Sequence, residues 1–259
     1  MARFLRRFPP AKAARLRRRL RRLTRPARLG TLRRPTPLSD EWGWDRGTPV
    51  DRYYIDDFLN ANRGDIHGHV LEVKDSTYTE RFGSSVVERA VLDIVPTNPQ
   101  ATIVADLTSA SSIPDASYDC VILTQTLQYI YDVRAAIAHA HRILKPSGVL
   151  LATVPGLGPI VDDGENRYFW NFTQASCEVL FAEAFDEASV DVRGYGNALS
   201  AIACLTGMAH EELGVHELDG RDSRFTVLIA IRAVKFGDTV LSSSASVSNV
   251  QPTRAFAGT

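Results

Sequence analysis

The stretch YDCVILTQTLQYIYDVRAAIAHAHRILKPSGVLLATVP, residues 118–155, decides the fold. It opens on a near-continuous apolar run, residues 118–124, of the kind found where both faces of a parallel sheet are covered. Residues 133–144 then place Val133, Ala136, Ile137, Ala140 and Leu144 on one face at helical spacing. The Lys-Pro-Ser-Gly segment at 145–148 reads as a turn, and residues 148–155 as a second apolar strand. Strand, helix and strand in that order make a parallel crossover unit.

Working outward, the same alternation continues. Short apolar strands are predicted at 69–73, 90–95 and 102–107, and a helix at 174–185. A strand follows within 187–196, then a glycine-interrupted helix from Asn197, then a long strand at 224–235. Upstream, residues 47–66 read as a helix with Thr48 as N-cap, Pro49 and Asp51 in its first turn, an apolar face of Tyr54, Ile55, Phe58 and Leu59, and Gly64 at its end. The sum is an α/β fold with a doubly wound sheet, predicted for residues 38–236.

The chain has 30 Lys/Arg and 30 Asp/Glu, yet residues 1–34 hold 14 of the basic residues and none of the acidic ones. A basic arm over residues 1–37 is thus attached to an acidic body, and it is suited either to disorder or to an anionic membrane surface. Specific nucleic-acid binding is not expected, since no aromatic stacking series accompanies the charge. Residues 237–259 are too poor in apolar side chains to fold alone. No run approaches the length of a membrane span and arginines interrupt the N-terminus, so the expected location is cytoplasmic, or peripheral at a membrane.

Cys120, Cys177 and Cys204 are far apart in apolar surroundings and read as buried thiols. His67 and His69 lack carboxylates at ligand spacing, and His139 and His141 read as surface residues, so no metal site is expected.

Acidic residues recur at successive strand ends: Glu72, Asp93, Asp106, and Asp119 opening the next strand. With the segment AHRILKPSGVLLATVPG that follows, this pattern resembles the class I S-adenosylmethionine-dependent methyltransferases, specifically their small-molecule (type 11-like) branch. The resemblance spans about residues 66–235 and is strongest over 102–156. It implies a Rossmann-like seven-stranded sheet, mostly parallel with an antiparallel last strand, and S-adenosyl-L-methionine as cofactor. It implies cofactor contacts from Glu72 (methionine amino group), Lys74 or Ser76 (methionine carboxylate), Asp93 (ribose), Asp106 with the Leu107 backbone (adenine), and the strand end at Thr124 and Gln125.

Two departures stand out. The family's first loop carries three glycines, whose places here hold Lys74, Ser76 and Tyr78. Either the loop takes another path and binds with side chains, or the pocket is closed. The family's Leu-Glu-His stretch is here Leu127-Gln128-Tyr129, which removes the usual histidine.

An acceptor pocket is expected from Gln128, Tyr129, Asp162, Tyr168 and Trp170, the last three in a polar, lid-like loop at 155–173. Arg46, Asp51, Arg52, Tyr53 and Tyr54 are candidates to close over the cofactor from the N-terminal helix. The implied activity is methyl transfer to an oxygen or nitrogen of a small molecule, with a sugar or glycan precursor as the candidate acceptor, since VLEVKDSTYTERFG resembles stretches in methyltransferase-like proteins associated with glycan assembly. The alternative is a non-catalytic binding or scaffold protein of the same fold with a basic recruitment arm. A nicotinamide-dependent dehydrogenase is set aside, because no GxGxxG follows the first strand.

Overall fold

The computed structural model describes residues 30–160 and 167–236. Most of the basic arm, the C-terminal tail and Asp162 lie outside the described residues.

Seven strands form one sheet in the order β3-β2-β1-β4-β5-β7-β6. They are β1 (Gly68–Val73), β2 (Val86–Asp93), β3 (Ile103–Val104), β4 (Tyr118–Thr124), β5 (Leu144–Pro155), β6 (Val190–Tyr195) and β7 (Leu228–Val234). All neighbouring pairs are parallel except those made by β7, which runs antiparallel to both β5 and β6. This is the Rossmann-like, doubly wound sheet with an antiparallel last strand.

The helices are α1 (Val50–Ala61), α2 (Thr77–Phe82), α3 (Val133–Ile143), α4 (Gln174–Ala182), α5 (Ala198–Thr206) and α6 (Val215–Leu218). Alternation along the strands builds two cores. Leu71, Val121, Leu123, Leu150, Ala152 and Ile231 face α3 and α4. Val70, Cys120, Ile122, Leu151, Leu228 and Ala230 face the other way, where Tyr54, Ile55, Phe58 and Leu59 of α1 and Ala201 and Ala203 of α5 cover them. Successive strand residues point to opposite faces, so both must be apolar when both are covered.

Several elements differ from expectation. Strand β3 has two residues, because Asp106 turns the chain by accepting from the Thr108 N–H and hydroxyl. Pro49, not Thr48, is the N-cap of α1, and the Thr48 N–H donates to the Glu211 carboxylate. Helix α1 ends at Ala61, before Gly64. Leu144 belongs to β5 rather than to α3, and the expected turn at 145–148 is a bulge at the start of β5, with Ser147 at φ +65°. Helix α4 stops at Ala182, and β7 starts at Leu228.

His69 does meet a carboxylate, Glu88, at 3.1 Å. His139 and His141 are half-buried: Arg142 donates to His139 Nδ1, and His141 packs edge-on against Phe185. Cys120 and Cys177 are buried, whereas Cys204 is half-buried.

Candidate active site

Strand order reverses between β1 and β4: the chain leaves β1 toward β2 and β3, then returns to place β4 on the other side of β1. The crevice at the carboxyl ends of those two strands is where open α/β sheets bind ligands. It is bounded by Glu72 to Ser76 after β1 and by Thr124 to Tyr129 after β4, with Glu72 paired in register to Ile122.

The loop after β1 keeps the sharp turn of a glycine loop without its glycines. Lys74 sits at φ +77°, a left-handed conformation costly for a side-chain-bearing residue. Its N–H donates to the Leu92 carbonyl at 2.9 Å, and its carbonyl accepts from Asn98 Nδ2 at 2.7 Å, which holds the turn from both sides. The Lys74 side chain is exposed, with no ion pair among the described residues. The Asp75 carboxylate accepts from the Thr77 N–H, Ser76 is the N-cap position, and α2 begins.

Beneath this helix lies Glu72, 2% exposed. It accepts from the Tyr78 N–H at 3.0 Å, the Thr79 N–H at 2.8 Å and the Thr79 hydroxyl at 2.7 Å. The first N–H groups of a helix have no partner inside it, and a carboxylate at that end meets both this need and the dipole. Burial pushes the Glu72 carboxyl above its ordinary value, against the opposing pull of these three donors.

Asp93 closes β2. One of its oxygens accepts from the Val95 N–H and the other from Asn98 Nδ2, at 2.6 Å. Asn98 therefore ties the Lys74 turn to Asp93 through a single amide, a role the sequence does not announce beyond the turn-forming run at 96–99. Asp106 is exposed, with one oxygen taken by Thr108, and Leu107 is buried below it.

On the other wall, Gln125 stands at φ +48° and donates its N–H to the Thr153 carbonyl at 2.9 Å. Gln128 is 3% exposed, and its Nε2 donates to the backbone and side-chain oxygens of Gln125. Gln128 Oε1 is buried and accepts no hydrogen bond. A buried acceptor left unanswered costs about 1–3 kcal/mol, and such groups in folded chains call for a partner.

The Gln128 carbonyl accepts from the N–H groups of Phe169 and Trp170, which seats the segment after the undescribed part of the 155–173 loop. Tyr168 meets Tyr129 edge to face at 5.6 Å and donates to Asn171, and Trp170 Nε1 donates to the Ile130 carbonyl. Burial is the first cause raising the Tyr168 hydroxyl above its ordinary range. Gln128, Tyr129, Tyr168 and Trp170 are thus brought together.

Of the closing candidates, Arg52 reaches inward and donates to the Tyr78 hydroxyl. Arg46, Tyr53 and Tyr54 turn elsewhere, to Glu212, Asp219 and the Leu218 carbonyl.

Residues 74–152, from the Lys74 turn into β5, match the methyltransferase domain family. That stretch has the sequence of a methyltransferase domain. Among solved structures, the chain is similar to an S-adenosylmethionine-dependent methyltransferase from Mesorhizobium loti (16% identity over 72% of this chain and 100% of that one, TM-score 0.48). It is also similar to phosphoethanolamine N-methyltransferase 2 from Haemonchus contortus in complex with S-adenosyl-L-methionine (15% identity, 71% of this chain and 53% of that one, TM-score 0.49). A third likeness is to a methyltransferase from Archaeoglobus fulgidus (13% identity, 72% and 91%, TM-score 0.44). No curated protein matches the chain in sequence.

The cofactor of this class is S-adenosyl-L-methionine, and the crevice has the chemistry to receive it. It offers an ammonium at Lys74 without an ion pair among the described residues, a carboxylate ending β2 at Asp93 and an exposed one at Asp106.

Proposed function

We propose that the crevice binds S-adenosyl-L-methionine and transfers its methyl group to an oxygen or nitrogen of a small molecule, with a sugar or glycan precursor as the acceptor class. In this reading Lys74 and Ser76 face the methionine carboxylate, Asp93 faces the ribose hydroxyls, and Asp106 with the Leu107 backbone faces adenine. Thr124 and Gln125 line the opposite wall. Glu72 acts through α2, holding the loop that replaces the glycines, while the further lone pairs of its oxygens suit the methionine amino group. The bound cofactor supplies a methyl group already activated on a sulfonium, so the protein's work is to orient the acceptor and keep water out.

The observation that carries the reading is Gln128 Oε1. An acceptor's O–H or N–H answers it, and the rings of Tyr129 and Tyr168, which meet edge to face, with Trp170, whose N–H reaches the Gln128 carbonyl, suit the apolar face of a sugar. Asp162, in the same loop, is proposed as a further acceptor contact.

The second reading, a binding protein of this fold without catalysis, draws on Glu72, both of whose oxygens are already engaged by its own chain. Calorimetric titration with S-adenosylhomocysteine separates the two. Saturable binding that weakens about tenfold or more in Asp93→Ala, as expected for loss of a charge-assisted contact, supports the enzyme. Absence of binding by folded wild-type protein sinks it.

A further inference from the structure

Helix α5, ALSAIACLT, contains no charged residue. Its inner side buries Ser200, Ala201 and Ala203. Its outer side is apolar too: Leu199, Ile202 and Leu205, spaced three apart, are 41, 43 and 49% exposed. A helix that is apolar all round belongs in a core or against lipid, and among the described residues α5 has protein on one side only.

What adjoins this ridge says what covers it. The Leu38 N–H donates to the Thr206 carbonyl at the end of α5, so the N-terminal arm joins the body there. Two exposed tryptophans, Trp42 and Trp44, flank Gly43, which lies against the Met208 carbonyl just beyond the same helix end. Ahead of Gly30 lie 29 residues with 12 Lys/Arg and no Asp/Glu. Residues 35–259 carry 16 Lys/Arg against all 30 Asp/Glu, so an anionic surface repels the body and draws the arm. Tryptophan beside aliphatic side chains, next to a dense basic segment, is the chemistry of a bilayer interface: the rings sit at headgroup depth, the aliphatics just below, and the cations meet anionic headgroups.

We infer that the ridge of α5, together with Trp42 and Trp44, is the face this protein lays on an anionic lipid bilayer, with the arm anchored beside it. The inference does not depend on methyl transfer, and its test needs no cofactor.

The full chain is floated with vesicles of equal parts phosphatidylglycerol and phosphatidylcholine, and with phosphatidylcholine alone. Wild-type protein is expected to float with the anionic vesicles and to release as salt rises. Ile202→Glu with Leu205→Glu, both exposed, is expected to keep the wild-type melting temperature and to weaken vesicle binding by about tenfold or more. Arg17→Glu, Arg18→Glu and Arg19→Glu together are expected to weaken it at least as much.

Three results overturn the inference. Wild-type protein does not float. The ridge variant floats like wild type, which leaves the arm as the sole attachment. Or sedimentation without lipid shows a dimer that the ridge variant dissolves, which makes the ridge's occupant a second copy of the chain.

Discussion

Replacing Glu72 by glutamine tests whether a buried carboxylate has taken over from the missing glycines. In the native protein its oxygens accept three hydrogen bonds, two from Thr79 and one from the Tyr78 N–H. The glutamine oxygen can keep the Thr79 pair, but the amide nitrogen then faces the Tyr78 N–H, donor against donor, in a seat closed to water. Leaving one buried donor unpaired costs about 1–3 kcal/mol, and losing charge at the helix start adds about 0.3–1 kcal/mol. The sum, about 2 kcal/mol or more, lowers the melting temperature by roughly 4–8 °C for a domain of this size.

The comparison also has a sign in pH. Glu72 is raised above its ordinary value of 4.5, chiefly by burial. The stability tied to its bound proton is therefore complete below 4.5 and is lost as pH rises through the native value, a change glutamine cannot show. Urea unfolding followed by tryptophan fluorescence, on both proteins at about pH 4 and about pH 7, should find the variant less stable, with the gap narrower at the higher pH. Equal stability at both pH values would refute the capping argument. A gap that widens with pH would mean that the donors outweigh burial.

Two other substitutions bear on the same frame. Gly68, at φ +67°, lies against Asp119, whose carboxylate is fixed by the His69 N–H and the Lys145 ammonium, so a β-carbon would overlap a group unable to yield. Gly68→Ala is expected to cost about 3 kcal/mol or more in chemical denaturation, and a near-neutral result would show that the start of β1 can shift. Ser147→Gly removes a left-handed strain at φ +65° while keeping the N–H bond to the Lys235 carbonyl. It should raise stability by about 0.5–1 kcal/mol in calorimetry, and a loss would place the strain elsewhere.

The sheet was legible where its signals are local. Tyr118–Thr124 and the helix from Val133 announce themselves by a buried run and a 3.6-residue period, both of which survive in a single window of sequence. Strand β3 is shorter than its apolar run suggests, because an edge strand with one partner can be as short as Ile103–Val104. Helix α2 leaves no periodic signal because its six residues span less than two turns, and what stabilises its start is Glu72, five residues upstream on a strand.

The same holds for the candidate site. Strand-end acids were visible as a series, but their engagement was not: Asn98 joins Lys74 to Asp93 through a contact that spans 24 residues. Nor does any pattern foretell that Gln128 would be buried with one oxygen unanswered, since that depends on Gln125 turning back at φ +48° to meet its amide nitrogen.

The place of β7 between β5 and β6 sets an order of assembly. Among the described residues strand β6 pairs with β7 and with no other strand, although it precedes β7 in the chain. As the polypeptide emerges from a ribosome, the five strands from β3 to β5 can join as each is made, but residues 190–195 must wait unpaired until Leu228–Val234 has followed them out. Until then β5 offers an open, apolar edge to any extended segment nearby. Crowded or slowed synthesis between those two strands is thus the moment when this chain is most exposed to mispairing.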